Sequence, residues 1–453
     1  MVTAKSIDSS RPNYIVVFKQ ASERNTKTMA SVLKKAAAPG VRGRAEGVSL
    51  LQAGESGVMA RVYEGIGVAA ADLTEAQAAA LRKREDVAVV VVNQVRFLPP
   101  TVRSQDSGDL ALRGTDSLSS IEPLQAYLLG VRDTANSALG FLGRESPSAG
   151  VVGGAGAIAT AVPAATTRVT WGLKAMGVTQ LSAPTGRGVK VAVLDTGIDF
   201  NHRDMGRKTV DGQTAKSFVD GVTVQDVFGH GTHCAGTIAG PRQSVSGIRY
   251  GVAPDVQLLV GKVFNNRPRP GAFDDDILEG IQWADENGAR VVSMSLGSPR
   301  SVGEAAAAAY EELALQLLTR STNSILIVAA AGNESERPFS TAPVGNPAAC
   351  QSIVAVAAVD REFHIADFSC AQMDDIGEIN ISGPGVGIFS STAGDAFETL
   401  DGTSMATPHM AGLAALVLEA NPGFSAKQVL DRMLSRARAL GDRRDFGAGF
   451  GRL

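Results

Sequence analysis

Three polar side chains in short glycine-containing stretches have the chemistry of a nucleophile and its activating partners. Asp195 ends the apolar run VKVAVLD, His230 lies in GHGTHCAGTIAG, and Ser404 lies in DGTSMATPHMAG. A serine hydroxyl is a poor nucleophile at its free pKa, so an adjacent base must take its proton, and a histidine base needs a carboxylate that fixes its tautomer. Together these residue types are suited to acyl transfer.

Each of these residues also has a purely structural alternative. Asp195 could be a turn or cap aspartate, and Ser404 could be the N-cap of the helix that follows, with Pro408 in its first turn. His230 and His233 could be metal ligands, but zinc-protease helices space their histidines four apart around a glutamate, and no third ligand is evident. We therefore do not expect a metal at this histidine pair.

From about Val169 onward, apolar runs alternate with helical stretches. Continuous apolar runs between helices predict an α/β fold, a parallel sheet with helices on both faces. Ligands of such sheets bind beyond the carboxyl ends of the strands, which is where Asp195 is expected. The runs are VKVAVLD, VQLLVGKVF, ARVVSMSLG, SILIVAAAGN and SIVAVAAVD.

The N-terminal residues 13–98 predict a separate small α+β domain. The stretches NYIVVFK and VAVVVVNQVRFL are expected to be strands, and DLTEAQAAALRKRED a helix with Asp72 as N-cap and Glu75 completing a capping box. Residues 1–12 are expected to be a flexible start. Residues 99–168 are rich in Gly, Ala and small polar residues at their end and are expected to be a linker with some helix.

Charge and composition narrow the classes of function. The net charge of −3 gives no reason to expect a nucleic-acid partner. Residues 1–98 carry 14 basic and 9 acidic residues, net +5, whereas the rest of the chain is net −8, so the two parts should attract. No run reaches the roughly 18 apolar residues of a membrane span, and the N-terminus lacks a Sec-type signal. We expect a soluble chain that is either cytoplasmic or secreted by another route.

Taken together, the motifs resemble those of the subtilisin-like serine proteases. Asp195, His230 and Ser404 follow one another in that family's order, Asn333 lies in VAAAGNES, and GHGTHCAGT with its cysteine looks most like the proteinase K-type branch. The resemblance covers residues 169–453, and more weakly residues 13–98, which look like the family's inhibitory propeptide. It implies a serine endopeptidase that is made as a self-processing zymogen and acts on peptide or protein substrates.

The resemblance also implies a role for each residue. Ser404 would attack the peptide bond with His230 as general base, Asp195 would orient His230, and Asn333 would donate to the oxyanion beside the backbone N–H of Ser404. Asn333 alone could instead be a left-handed turn residue after a glycine. His233 is then a packing or hydrogen-bonding residue, and no cofactor is required for catalysis.

Further residues match the family's substrate-binding segments. Extended substrate would lie along two segments, SLGS and the stretch after GKVF, although Ser295 and Gly297 could merely end a strand. Gly345 matches the base of the primary specificity pocket, and Glu334 matches its rim, where an acid could favour a basic side chain. The implied substrate-binding residues are Ser295, Leu296, Gly297, Gly332, Glu334 and Gly345.

An acidic run and one aspartate have two interpretations each. Asp274, Asp275 and Asp276 either complement a helix N-terminus or form an acidic wall that favours basic side chains upstream of the cut. Asp204 matches a calcium ligand of many subtilisins, so structural calcium is possible, but the loop GPRQSVSGIRYG departs from the family's pattern.

The cysteines and the propeptide complete the expectations. Cys234 should be a buried thiol, and Cys350 and Cys370 are expected not to pair. Residues 13–98 would inhibit the protease in the same chain, with self-cleavage near residues 97–102 or later in the linker. Two rival functions stay open: a catalytically silent binding module, and a cytosolic enzyme that processes one specific protein.

Overall fold

The structure is a computed structural model. It describes residues 11–19, 29, 32–33, 39–45, 48–53, 59–63, 66–99, 102–103, 168–180, 182–206 and 214–453. Most of the predicted flexible start and the predicted linker helices lie outside the described residues.

A seven-stranded parallel sheet forms the centre of the C-terminal part. In spatial order its strands are β11 (Ala215–Ser217), β13 (Gln257–Lys262), β10 (Lys190–Asp195), β15 (Val291–Met294), β16 (Leu326–Ala330), β17 (Val354–Val359) and β18 (Ile381–Pro384). The sequence prediction of a parallel sheet is confirmed.

Helices cover both faces of this sheet, as the alternation of side chains in the strands requires. In β10, Val191 and Val193 join one buried apolar cluster, whereas Ala192 and Leu194 join another. The first cluster includes residues of α3 (His230–Ala239), α6 (Thr403–Ala420) and α7 (Ala426–Arg436), and the second includes residues of α4 (Asp274–Glu286) and α5 (Ala308–Thr319). Shorter elements are α2 (Trp171–Ala175), α8 (Arg443–Phe446), β9 (Arg168–Val169), β12 (Ile248–Arg249), and the hairpin of β19 (Ile388–Thr392) with β20 (Ala396–Asp401).

The N-terminal part is an antiparallel sheet with a short helix, α1 (Glu75–Leu81), which confirms the α+β prediction. The predicted helix cap was wrong. Thr74, not Asp72, is the N-cap: its hydroxyl accepts from Gln77 N at 3.3 Å, and Gln77 Oε1 accepts from Thr74 N at 2.7 Å. Gln77 rather than Glu75 therefore completes the capping box, because the helix begins two residues later than expected. The strand order is β2 (Pro39–Ala45), β3 (Val48–Ala53), β4 (Met59–Tyr63), β5 (Val68–Ala71), β1 (Tyr14–Phe18) and β6 (Val87–Val92).

The predicted single strand VAVVVVNQVRFL is two strands. It leaves the N-terminal sheet after β6, and β7 (Val95–Phe97) pairs antiparallel with β14 (Gly271–Phe273) of the C-terminal part. Asn93 lies at the break, where its side-chain amide donates to Asp275 Oδ1 at 3.0 Å. Further on, β8 (Val102–Arg103) pairs antiparallel with β20, whose last residue is close to Ser404 in the chain.

Within the described ranges, no helix combines the length and apolar character that crossing a membrane requires.

Candidate active site

Asp195 and His230 meet at the carboxyl edge of the parallel sheet. Asp195 is the last residue of β10, and His230 is the first residue of α3. Both are buried, and His230 Nδ1 lies 2.8 Å from Asp195 Oδ1, which also accepts a hydrogen bond from Thr196 N at 2.7 Å. A hydrogen bond at Nδ1 fixes the tautomer that leaves Nε2 as the basic nitrogen.

Asp226, a buried carboxylate that was not predicted from the sequence, holds the start of α3 in place. Its Oδ1 accepts from Thr196 Oγ1 at 2.9 Å, Phe228 N at 3.0 Å and Gly229 N at 2.9 Å, and its Oδ2 accepts from Thr232 N at 2.9 Å and Thr232 Oγ1 at 2.7 Å. These donors flank both Asp195 and His230 in the chain. An aspartate four residues before a motif histidine was the available signal.

Ser404 is the second residue of α6, and Gly402 is the N-cap. The alternative of an N-cap serine was therefore wrong, and Pro408 lies in the second turn rather than the first. Because proline has no N–H, the carbonyl of Ser404 lacks its helical donor. It accepts instead from Ser295 Oγ at 2.8 Å and from Cys234 Sγ at 3.6 Å.

Asn333 follows β16 and faces the start of α6. Its Oδ1 accepts from Thr403 N at 2.9 Å and from Thr403 Oγ1 at 2.7 Å. With Oδ1 held in this way, Nδ2 lies beside Gly402, where an added Cβ would come within 3.2 Å of it. The preceding Gly332 has a φ of +116°, and an added Cβ would lie 2.5 Å from Glu334 Oε2. Glu334 therefore lies close to Gly332, and the positive φ together with this close approach favours glycine at the position.

The two atoms between which a proton would pass are both buried. Neither His230 Nε2 nor Ser404 Oγ has a hydrogen-bond partner among the described residues. Cys234 ties the two segments together, since its Sγ lies 3.9 Å from His230 Nδ1 and also contacts the Ser404 carbonyl. Catalytic hydrogen bonds are often long in the absence of substrate.

The ionisation of the histidines differs with their surroundings. Burial disfavours the charged form of His230, but the Asp195 carboxylate outweighs this and raises the pKa of His230 well above its ordinary value. Burial lowers the pKa of His233 to about 3 and that of His409 to about 4. His233 Nε2 lies 3.0 Å from the Ile388 carbonyl, so His233 is a neutral packing residue beside β19.

Of the residues implied for substrate binding, Gly297 lies beside an extended strand of the chain itself. Gly297 exchanges two backbone hydrogen bonds with Phe97, at 2.8 and 3.0 Å. The Leu296 side chain is buried in the core, so only its backbone could face a substrate. Gly345 is packed so closely that an added Cβ would lie 2.7 Å from the Ser298 carbonyl oxygen. Glu334 is half-buried and accepts from Cys370 Sγ at 3.2 Å.

The residues at Asp204 are arranged for hydrogen bonds rather than for a cation. Asp204 Oδ2 accepts from Ser244 Oγ at 2.6 Å and from Tyr250 OH at 2.8 Å, and Oδ1 accepts from Val245 N at 3.1 Å. Three donors thus point at carboxylate oxygens that calcium would need as ligands. The present arrangement of these donors does not fit calcium, so Asp204 as a calcium ligand stays a prediction without support from the structure.

All three cysteines are free and buried. Burial raises the pKa of the Cys234 and Cys370 thiols and raises that of Cys350 to about 12. Ligand atoms of Cys234, His230 and Asp195 lie within 4.8 Å of one another, but His230 Nδ1 is already committed to Asp195. This set is therefore better explained by its hydrogen bonds than by a metal.

The parallel α/β sheet, with a buried aspartate–histidine pair and a helix-borne serine beyond its strand ends, is typical of serine peptidases. Residues 186–451 match the subtilase family, and residues 13–99 match the peptidase inhibitor I9 family. The chain belongs to the subtilase family of serine endopeptidases and carries an inhibitor I9 propeptide.

Individual subtilases are similar to the chain over more than half of its length. Subtilisin DY of Bacillus licheniformis is 40% identical over 268 residues, which is 58% of this chain and 89% of the relative. Subtilisin E of Bacillus subtilis (strain 168) is 40% identical over 282 residues, 60% of this chain and 68% of the relative. An intracellular serine protease of Paenibacillus polymyxa is 38% identical over 257 residues, 55% of this chain and 74% of the relative.

Proposed function

We propose that the chain is a self-processing zymogen in which Ser404 attacks the peptide bond. His230 Nε2 takes the proton of the Ser404 hydroxyl, and Asp195 stabilises the imidazolium that forms. The same histidine then gives this proton to the leaving amine, and water releases the acyl group from Ser404 by a second attack. The observation that carries the proposal is the 2.8 Å contact between His230 Nδ1 and Asp195 Oδ1, which leaves Nε2 as the only basic ring nitrogen.

Asn333 and the N–H of Ser404 would stabilise the oxyanion of the tetrahedral intermediate. The proposal is supported by the orientation of the Asn333 amide, whose oxygen is held by Thr403 and whose nitrogen lies toward Gly402. Ser404 lies in the first turn of α6, where backbone N–H groups have no helical partner. Donors fixed before the reaction need no reorganisation when negative charge develops.

The substrate would lie as an extended strand between β14 and Gly297. In this proposal Ser295 to Gly297, Gly332 and Glu334 line the cleft, with Gly345 at the base of the primary pocket. Support comes from β7, which already pairs with β14 and Gly297 in this manner. Backbone pairing of this kind is independent of sequence, so side-chain pockets must supply selectivity.

The N-terminal domain would inhibit the enzyme by filling this cleft. We propose residues 13–98 as the propeptide, residues 99–168 as a linker, and residues 169–453 as the peptidase domain. Support comes from two pairings: β7 pairs with β14, and β8 pairs with the end of β20, which is next to Gly402 in the chain. Self-cleavage near residues 97–102, or later in the linker, would begin maturation.

Intact mass measured over time tests self-processing. The purified full-length chain should shorten, whereas its Ser404→Ala variant should keep its full mass. Equal shortening of the two would show that another protease makes the cut, and the mass of the wild-type product gives the cleavage site.

A fluorophosphonate probe separates the enzyme from a silent binding module. The matured wild type should be labelled at Ser404, and labelling should be lost in His230→Ala. No labelling of correctly folded, matured protein would favour the binding module.

A further inference from the structure

Arg96 of β7 is buried in a polar pocket of the peptidase. It is 2% exposed, its Nε and Nη2 donate to the two oxygens of Asp274 at 2.8 and 3.1 Å, and its Nη1 donates to Ser298 Oγ at 2.7 Å. The guanidinium carbon lies 5.5 Å from the centre of the Tyr310 ring. The pocket thus satisfies a planar cation through a bidentate pair, a third hydrogen bond and an aromatic face.

The pocket is built by the peptidase and not by the propeptide. Asp274 is the first residue of α4, Tyr310 lies in α5, and Ser298 follows the segment that pairs with β7. Tyr310 OH donates to Asp274 Oδ1 at 2.9 Å, and burial raises the pKa of Tyr310, so its hydroxyl keeps the proton it donates. When β7 leaves, this carboxylate loses its bidentate cation and keeps only the Tyr310 hydroxyl among these contacts, so a substrate guanidinium can take the place of Arg96.

The backbone frame shows which substrate residue would reach the pocket. Phe97 is held by two hydrogen bonds to Gly297, and β7 pairs residue by residue with β14, so that Arg96 lies opposite Ala272. Neither contact depends on the identity of the side chains. A substrate strand in the same frame would therefore point the side chain at the register of Arg96 into the pocket, while its neighbours point away.

Neighbouring acidic residues do not share this task. Asp276 Oδ1 accepts from Arg11 at 2.5 Å, and Asp275 is approached by Arg11 at 3.5 Å and by Arg61 at 3.7 Å. The three aspartates of the acidic run therefore have different partners: Asp274 binds the strand in the cleft, whereas Asp275 and Asp276 face Arg11 and Arg61.

We propose that the pocket of Asp274, Ser298 and Tyr310 selects arginine at one position upstream of the cleaved bond. The inference rests on the proposed function, because it assumes that substrates replace β7 in the cleft. Arginine is favoured over lysine, since an ammonium group cannot make the bidentate pair and the bond to Ser298 at once. Preferred substrates are therefore extended segments with an arginine at the register of Arg96.

Quenched peptides test the pocket. One arginine is moved through the six residues upstream of a single cleavage site in otherwise neutral peptides, and kcat/KM of the matured enzyme is compared with peptides carrying citrulline, lysine or alanine. Beyond any gain next to the cleaved bond, where Glu334 could favour a basic side chain, arginine should raise kcat/KM at one upstream position by about 30-fold or more over citrulline, because the pair with Asp274 is buried. Equal kcat/KM values with arginine at every position would overturn the proposed selectivity of the pocket.

Two variants identify the residues responsible. Asp274→Asn should reduce the arginine-to-citrulline ratio to near one, whereas Asp275→Asn, which removes the same charge one residue away, should leave this ratio intact. Equal loss in both variants would assign the preference to the general negative field and overturn the proposal. If Asp274→Asn does not mature, Ser298→Ala should still lower the ratio about tenfold, because it removes one hydrogen bond to a charged group.

Failure of the proposed function has a different signature. If the arginine-free peptides are cleaved by wild type but not by Ser404→Ala, the function stands whatever the arginine ratio is. Cleavage by both proteins would instead contradict Ser404 as nucleophile.

Discussion

Removing the Asp226 carboxylate should destabilise the protein and displace His230, the proposed catalytic base. Asp226 is buried and accepts hydrogen bonds from three backbone N–H groups, those of Phe228, Gly229 and Thr232, and from two hydroxyls. The N–H groups of Gly229 and Thr232 are buried, and each buried N–H left without a partner costs about 1–3 kcal/mol, so Asp226→Ala should lower the free energy of unfolding by about 2–6 kcal/mol.

Asp226→Asn should be milder, because the amide keeps one oxygen. The oxygen can still accept from the three donors at Oδ1, but the NH2 group then faces Thr232 N–H, which loses its acceptor. We expect a loss of about 2–3 kcal/mol. His230 lies between these anchored residues, and a displacement on the order of 1 Å should lower kcat about 100-fold with a smaller change in KM.

Denaturant unfolding measures the loss of stability. It is followed by circular dichroism in the Ser404→Ala background, which prevents autolysis. Peptide hydrolysis by variants that keep Ser404 measures the change in kcat. Asp255→Asn is a matched control, because among the residues that the structure describes the Asp255 side chain pairs only with the exposed Arg187, at 3.5 Å. It should change stability by less than about 0.5 kcal/mol. The reasoning is refuted if Asp226→Asn is as stable and as active as this control.

Three further predictions concern the site and the thiols. Asn333→Ala should lower kcat about 100-fold to 1000-fold with little change in KM, whereas the exposed Asn201→Ala should not; equal kcat values would remove Asn333 from the oxyanion site. Asp195→Asn should lower maximal kcat by about 10⁴. In the proposed mechanism activity requires neutral His230, so it should rise as pH rises through the raised pKa of His230. Without the Asp195 charge this rising limb should move to lower pH, and an unmoved limb would contradict the assignment. A thiol reagent at pH 8 should label none of the cysteines in the native enzyme and all three after denaturation without reductant. A single labelled thiol in the denatured protein would show that the other two form a disulfide. The cysteines are Cys234, Cys350 and Cys370.

The main features of the fold could be predicted from local sequence. Strands buried on both faces are apolar at every position, and β10 shows why: successive side chains enter different cores. Errors arose where a choice depended on one or two residues. Thr74 and Asp72 are both good caps, and only the start of α1 decides between them; Asn93 and Gln94 interrupt an apolar run too briefly to signal that the chain changes sheets.

In the candidate site, too, some features could be predicted from local sequence and others could not. The sequence by itself determined the residue types in their motifs, Asp195, His230, Asn333 and Ser404, because each needs a short local stretch with its own glycine. Only the tertiary structure decided their partners. Pro408 leaves the Ser404 carbonyl without its helical donor. Whether Ser295 or water donates to that carbonyl instead depends on which strand end packs against α6.

Asp226 and Arg96 show the limit most clearly. Asp226 gathers donors from two segments about thirty residues apart, and Arg96 meets Asp274 across a sequence separation of 178. Arg96 has no local pattern that distinguishes it from an ordinary surface charge, and the position of Asp226 four residues before His230 does not show which donors it binds. Their roles follow from burial, since a charge removed from water must find its partner within the fold, and only the packed structure shows which partner that is.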